Sequence, residues 1–262
     1  MFDQPTAIVT GASSGIGRAI SDRLTKDGYV VFGTSRTDPA LHRLDVTDPQ
    51  SCDALVASIL ERDGRIDVLV NNAGYSMLGA QEELSDDAVR AMFEVNLFGA
   101  MRLARSVLPA MRAARRGQLV HVSSVSGLIP SRFMGAYGAT KHALEGWSKA
   151  LDHELRHFGI RSFTVRPGFT RTRIAENAVS AQHALPDYAL ARVQFDRALG
   201  DALGSGEAPA VVAATVSHAL APQRRRTGYP AGRAARQLLL LHALAPKAVF
   251  DRGLRKAFSL VD

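Results

Sequence analysis

Cysteine is almost missing from this chain. Cys52 stands alone among 262 residues, so no intrachain disulfide can form and an oxidising compartment gains no support. Long apolar runs are missing too. The longest, Leu238-Leu-Leu-Leu-His-Ala-Leu-Ala-Pro246, falls well short of the ~20 residues that span a bilayer. No charged-then-apolar leader opens the chain, since Met1-Phe-Asp-Gln-Pro-Thr-Ala runs straight into a strand pattern, and a signal peptide is not expected. There is no internal repeat and no low-complexity linker. The net charge is +7, but its cations are scattered and only Arg224-Arg-Arg226 is dense, without interleaved aromatics. Nucleic acid is therefore not an expected partner. What these absences leave is a cytoplasmic protein with no membrane span.

What is present is an alternation. With 46% apolar and 22% charged residues, the chain can fill the core of one large α/β domain. Thr6–Thr10, Tyr29–Gly33, His42–Asp45, Ile66–Val70, Gln118–Ser123 and Arg161–Arg166 read as six strands. Between them lie helical periods. Ile16, Ala19, Ile20 and Leu24 carry one helix, and Leu55, Val56, Ile59 and Leu60 another, with Asp48 as its N-cap and Pro49 at its first position. Longer helices are expected around 85–114 and 137–158. Continuous Val/Ile/Leu strands separated by helices predict a doubly wound (Rossmann) parallel sheet, covered by helices on both faces, in a single domain. Ligands of such a sheet bind at the carboxyl ends of its strands.

Beyond the sixth strand the pattern weakens. Residues 173–207 are polar and mixed, and read as a segment covering a site. Residues 208–221 form a further helix, and 233–258 one or two amphipathic helices. The Leu238–Leu241 run reads as a core or subunit-contact face rather than a membrane-surface patch.

Two local groups carry chemistry. Gly11, Gly15 and Gly17 follow a strand and open a helix, where glycine lets backbone approach a pyrophosphate at the helix N-terminus. At the end of the second strand stand Ser35-Arg36-Thr37, with no acid before Asp38. A carboxylate there would accept from a ribose 2′-hydroxyl; Arg36 instead can fork onto a 2′-phosphate, with Ser35 and Thr37 donating. NADP(H) is expected over NAD(H). The second group is Tyr137 with Lys141 four residues on, one helix face, and Ser124 at the end of the fifth strand. A carbonyl that accepts hydride needs a proton and a stabiliser for its oxyanion. An ammonium at ~4 Å is worth roughly 4 kcal/mol at an effective dielectric of 20. At about 1.4 kcal/mol per unit it would lower a phenol by up to ~3 units, so Lys141 is expected to acidify Tyr137 while Ser124 donates to the substrate oxygen.

These residues resemble the NAD(P)-dependent short-chain dehydrogenase/reductase family. The resemblance rests, in order, on Thr10-Gly-Ala-Ser-Ser-Gly-Ile-Gly17, Leu44-Asp-Val-Thr-Asp48, Asn71-Asn-Ala-Gly74, Asn96, Ser123-Ser124, Tyr137-x-x-x-Lys141 and Pro167-Gly168 before Thr172. It implies a catalytic set of Asn96, Ser124, Tyr137 and Lys141, with Asn96 holding a water that refills the proton through Lys141. It also implies a cofactor-binding set of Gly11, Ser13, Ser14, Gly15, Ile16, Gly17, Ser35, Arg36, Asp45, Val46, Asn72, Ala73, Gly74, Tyr137, Lys141, Pro167, Gly168, Thr170 and Thr172. Within it Asp45 faces adenine, Asn72-Ala73-Gly74 shape the adenosine side, and Thr172 meets the nicotinamide amide or the pyrophosphate, with Phe169 close by. The link between strands two and three is short and contains Pro39, so the family's usual helix is expected to be truncated. The stretches 71–80 and 127–146 and the C-terminal Arg-Arg-x-Gly-Tyr-Pro look like members acting on hydroxysteroids or retinoids. The family usually pairs helices near 96–114 and 137–158, which implies a homodimer or homotetramer.

Leu128, Ile129, Phe133, Met134, Met77 and Phe169 are candidates for an apolar substrate wall, or else for core. A hydrophobic ketone, aldehyde or secondary alcohol is the expected substrate. Two other readings compete. His153-Glu154-Leu-Arg-His157 spells a zinc-peptidase pattern, with Glu176 as a third ligand. Yet both histidines turn away from the apolar stripe of Leu144, Trp147, Leu151 and Leu155, and no metal is expected. A catalytically silent NADP-sensing protein would carry damaged Tyr, Lys or Ser positions, and all three are intact.

Overall fold

The structure is a computed structural model that describes residues 4–172, 179–180, 184–223 and 226–257. Its centre is a seven-stranded parallel sheet: β1 (Thr6–Val9), β2 (Val30–Ser35), β3 (His42–Arg43), β4 (Val68–Asn71), β6 (Gly117–Val122), β7 (Ile160–Pro167) and β9 (Gly228–Ala231), in the spatial order β3-β2-β1-β4-β6-β7-β9. A two-residue pair, β5 (Met77–Leu78) and β8 (Val179–Ser180), lies apart from it. Strand period explains the two-sided core. Ala7, Val9, Val68, Val70, Val120 and Val122 face one side, packed under α1 (Gly15–Lys26) and α7 (Pro209–Ala219). Their neighbours Ile8, Leu69 and Leu119 face the other, beneath α2 (Pro49–Asp63), α4 (Gly99–Ala114) and α5 (Gly135–Leu155). The doubly wound α/β expectation is met.

Local signals account for the helix ends. Asp48 caps α2, accepting from the Gln50 amide at 3.0 Å, with Pro49 in the first turn. Ser85 caps α3 (Asp86–Phe93) through the Ala88 amide. The helix expected over 85–114 is α3 and α4 joined by one π-helical turn, Glu94–Phe98. The one over 137–158 is α5 followed by a 3₁₀ turn, Arg156–Phe158. Residues 36–41 between β2 and β3 contain no helix, as the short link implied.

Three features add to the expectations. A seventh strand, β9, arises from the Gly-Tyr-Pro-Ala stretch. Its Gly228 and Pro230 argue against strand, but an edge position tolerates proline because one side of the strand needs no donors. The segment 173–207 is only partly described. Its described part forms a 3₁₀ turn, Pro186–Tyr188, and α6 (Ala189–Gly204), while 173–178 and 181–183 lie outside the described residues. The C-terminal region forms α8 (Arg233–Leu244) and α9 (Lys247–Ala257). There the Leu238–Leu241 run is not a uniform core face: Leu239 is buried, whereas Leu240 and Leu241 are exposed.

Candidate active site

Parallel pairing puts the carboxyl ends of β1, β4, β6 and β7 along one edge of the sheet, and the chain crosses over between β1 and β4. At that edge lies a cleft enclosing about 1150 Å³ of non-protein space, its mouth included. It is bordered by Ile16, Asn72 and Gly74, by Ser124, Tyr137 and Lys141, and by apolar side chains.

The glycine turn is built for a close backbone approach. Gly11 (φ 67°) and Gly15 (φ 55°) occupy the left-handed region that side chains avoid. A Cβ at Gly17 would strike the Gly11 carbonyl. Asn72 pins the turn from β4, its Nδ2 donating to the Thr10 carbonyl at 2.8 Å, and Thr10 Oγ1 accepts from the amides of Asn72 and Ala73. Ser14 sits at the N-cap of α1 without a side-chain cap bond, and no acid occupies the first turn. Orphaned amides and the positive end of a helix dipole therefore face the cleft, a fit for the pyrophosphate of a dinucleotide. Thr172 closes over this turn, its methyl 3.3 Å from where a Gly15 Cβ would stand. Thr170 Oγ1 donates to the Gly168 carbonyl at 3.2 Å, and Pro167, Gly168 and Phe169 complete this border.

On the far side of the turn, Ser35 is buried and its Oγ accepts from the amides of Thr37 and Asp38. This leaves Arg36 exposed. Asp45 accepts from the Thr47 amide and hydroxyl at 2.9 and 2.7 Å. Those bonds, then the Arg36 and Arg102 guanidiniums, hold its carboxyl below the usual range. Val46 is buried beside it. Ser13 is half-buried in the turn itself.

Tyr137 and Lys141 lie on α5, and both are buried. Lys141 Nζ stands 5.7 Å from the centre of the Tyr137 ring and donates to the Val122 carbonyl at 2.9 Å. Ser124 caps a 3₁₀ turn, Val125–Gly127, by accepting from the Ser126 amide, and hydrogen-bonds to the Tyr137 side chain. The expected acidification of the phenol does not occur. Burial pushes Tyr137 up to about 12 and only Ser124 pulls it back, while burial also pushes Lys141 down to about 8 against the upward pull of Glu145. Loss of hydration is the larger effect, a cost that the spacing of the pair does not include.

Asn96 occupies the π-helical turn. Its Nδ2 donates to the Tyr75 carbonyl (2.9 Å) and to Thr140 Oγ1 (3.2 Å), and its Oδ1 accepts from the Tyr75 amide (3.0 Å). Its side chain thus fixes the corner at Tyr75 and the first turns of α5, both amide donors being used and Oδ1 keeping a second acceptor site.

Of the six candidates for an apolar wall, Ile129, Met134 and Phe169 border the cleft and Leu128 does not. Met77 is core, packed with Met92 and Tyr137. Phe133 adopts φ 55°, and its ring packs on Phe195 at 5.5 Å and Tyr188 at 6.0 Å. The sequence reading missed Leu78, Leu199 and Leu203 of α6, and Leu238 and Leu254 of α8 and α9, which complete the wall. It also missed two hydroxyls bordering the cleft, Ser123 Oγ and Ser131 Oγ, buried with no hydrogen-bond partner among the described residues.

The peptidase pattern is not assembled. His153 and Glu154 are exposed near the end of α5, and His157 lies in the following 3₁₀ turn, stacked on Phe158. Glu176 lies outside the described residues. Among the described residues no three His, Cys, Asp or Glu side chains could hold a metal, and no helix is long and apolar enough to cross a membrane.

Known proteins carry the same arrangement. The sequence model of the short chain dehydrogenases matches residues 5–183. A 3-ketodihydrosphingosine reductase of Bacteroides thetaiotaomicron is 38% identical over 181 residues, 66% of this chain and 67% of that protein. The uncharacterized oxidoreductase YbbO of Escherichia coli is 32% identical over 263 aligned positions, covering 96% and 94%. Among solved structures, a short-chain dehydrogenase from Streptomyces avermitilis superposes with a TM-score of 0.84 at 34% identity, over 99% of both chains. ElxO with NADP bound reaches 0.74 at 25% identity, over 87% and 97%. A Burkholderia phymatum relative in complex with NAD reaches 0.78 at 28% identity, over 93% and 95%. Family match, full-length fold match and cleft agree: the chain belongs to the short-chain dehydrogenases, and is an oxidoreductase acting on CH–OH and C=O groups.

Proposed function

We propose that this enzyme is an NADP(H)-dependent reductase of hydrophobic ketones or aldehydes, with Tyr137 as the proton donor. The observation that carries the reading is a buried phenol, beside Ser124 and Lys141, in a cleft that a glycine turn at a helix N-terminus and an apolar wall also border. A bound nicotinamide dinucleotide supplies or accepts the hydride. The turn from Gly11 through Ser13, Ser14, Gly15 and Ile16 to Gly17 would hold its pyrophosphate. Asp45, Val46, Asn72, Ala73 and Gly74 would flank its adenosine, and Pro167, Gly168, Thr170 and Thr172 its nicotinamide side.

Ser124 and Tyr137 would present their hydroxyls to the carbonyl oxygen. Burial keeps the phenol protonated at neutral pH, which suits Tyr137 to giving its proton to the developing alkoxide. Reduction with NADPH is the direction this reading takes. Lys141 holds positive charge behind the ring, and Asn96 acts as a positioning residue for the Tyr75 corner and α5. In this reading Asn96 also holds the water through which Lys141 is refilled with a proton.

Arg36 supports the choice of NADP(H): it is an exposed guanidinium just past the end of β2, where Ser35-Arg36-Thr37 carry no carboxylate to take a 2′-hydroxyl. The relatives are divided, one structure holding NADP and another NAD. The wall of Ile129, Met134, Leu199, Leu203, Leu238 and Leu254 supports an apolar substrate, and α6 is its cover. One relative is named for reduction of a 3-keto group on a sphingoid chain, a hydrophobic ketone of this kind. A cytoplasmic homodimer or homotetramer remains part of this reading.

The test follows absorbance at 340 nm with NADPH and then NADH against ketones of increasing chain length. We expect turnover with NADPH that improves with chain length. Tyr137→Phe should lose turnover by roughly 10³-fold with NADPH affinity intact, and Arg36→Asp should reverse the cofactor preference. Turnover retained by Tyr137→Phe would remove the assignment.

A further inference from the structure

Helices α8 and α9 serve two faces at once. Inward, they give Leu238 and Leu254 to the wall of the cleft. Outward, Leu240, Leu241, Leu244 and Val249 are 61%, 56%, 75% and 60% exposed. On α8, Leu240 and Leu244 continue the face that begins with Arg233 and Arg236, since all four lie within about a third of the helix circumference. On α9, Val249, Arg252 and Lys256 share one face at i, i+3 and i+7. His242 and Phe250 meet edge to face at 5.0 Å between the two helices. Residues 233–257 carry six cations and a single acid, Asp251, and that acid is paired with Arg255 at 3.1 Å.

We infer that the α8–α9 face docks on the surface of a lipid bilayer rich in acidic headgroups, and that it thereby sets the apolar end of the cleft against the lipid. Charge selects this occupant. Leucines set among Arg233, Arg236, Lys247, Arg252 and Lys256, none of which has an ion pair among the described residues, suit a surface that is negative at the headgroups and apolar just beneath them. A second copy of the chain fits poorly, because a two-fold contact places each cationic face against its equal, and the centres of protein interfaces are depleted of charge. Among the described residues no helix can span a bilayer, so attachment is at the interface. Leu238 and Leu254, on the same two helices as the docking residues, connect that surface to the cleft wall. A substrate with a long apolar chain then passes from bilayer to cleft with little of its chain crossing water. This delivery role rests on the reductase reading above; the docking itself does not.

Flotation of the full chain with vesicles tests the docking without any turnover. Vesicles of equal parts phosphatidylglycerol and phosphatidylcholine should carry the protein upward, and pure phosphatidylcholine should not. Raising salt to about 0.5 M should weaken the partition roughly tenfold. Leu240→Asp combined with Leu244→Asp should lower it by roughly tenfold or more, with unchanged turnover of a short water-soluble ketone. Arg252→Glu with Lys256→Glu should abolish the preference for acidic vesicles. No flotation on acidic vesicles, or flotation indifferent to both double variants, would overturn the proposal. So would a dimer that falls to monomer in the leucine double variant without any vesicle binding, which assigns the face to a second copy. Vesicle binding with no ketone reduction keeps the docking and sinks the reductase reading.

Discussion

Asp152, in the last turn of α5, has no exposed side-chain surface, and every direction from it meets a donor. Arg156 reaches it at 2.6 Å, Arg161 at 2.7 Å and the Ser162 amide at 3.0 Å. Burial alone would raise its carboxyl, but Arg161, Ser162 and Arg156 outweigh burial and hold it below the usual range. About three turns earlier on the same helix, Lys141 is buried almost as deeply, yet among the described residues its ammonium donates only to the Val122 carbonyl. The pull of Glu145 does not offset burial, and the amine falls to about 8. Two of the charges that this helix buries thus sit under opposite conditions. The saturated charge at one end fixes the fold; the undersatisfied one at the other keeps a proton exchangeable near neutral pH. Charge left short of partners is a mark of the working end.

The sharpest break of that contrast is expected at Lys141. Lys141→Met removes a buried ammonium whose burial is unfavourable, so unfolding free energy should stay constant or rise. Turnover should fall roughly 10³-fold. Urea denaturation beside the 340 nm assay checks both, and a variant that unfolds without losing activity per folded molecule would erase the distinction between the two ends.

The opposite pattern is expected at Asp152. Asp152→Asn should cost about 3 kcal/mol of stability, with KM and kcat unchanged for the folded fraction. The pH dependence carries the sign. With its folded pKa below its unfolded value near 3.8, Asp152 stabilises the fold fully above that value and loses this contribution as pH falls through the lower, folded one. Acid unfolding below about pH 4 should therefore be shallower in Asp152→Asn than in the parent chain. Parallel acid curves would show that this carboxylate is not the group linked to folding.

How much of this was legible in the sequence follows from how local each feature is. The glycine turn, the Asp48-Pro49 cap, the absent helix around Pro39 and the Tyr137–Lys141 spacing are each written in a few adjacent residues, and each is found where it was read. The wall of the cleft is not local. Leu199 and Leu203 reach it from α6, and Leu238 and Leu254 from α8 and α9, and nothing in their own spacing points to the cleft. Phe133 shows the same limit at one position: a left-handed backbone at φ 55° turns its ring toward Phe195, and residue type alone does not disclose that turn. The phenol was misjudged for a related reason. Spacing supplies the Coulomb attraction of a neighbour four residues away, but the cost of burial belongs to the whole fold.

The smallest and most diagnostic effect lies one turn beyond Lys141. Glu145 is buried, bonded to Arg166 at 2.9 and 2.7 Å and to Thr164 Oγ1 at 3.1 Å, and its charge is what draws the Lys141 amine upward against burial. Glu145→Gln keeps an oxygen for Arg166 and removes the charge. Lys141 should then lose its proton at lower pH than in the parent chain, where the amine titrates at about 8. The upper inflection of the kcat profile for reduction should move the same way. Turnover should fall roughly threefold at pH 8 and stay level near pH 6. Loss by one constant factor at every pH would mean that Glu145 only braces Arg166. A loss confined to the alkaline side, with KM for NADPH unchanged, would show that the charge of Lys141 is held in working range by an acid that touches neither substrate nor cofactor.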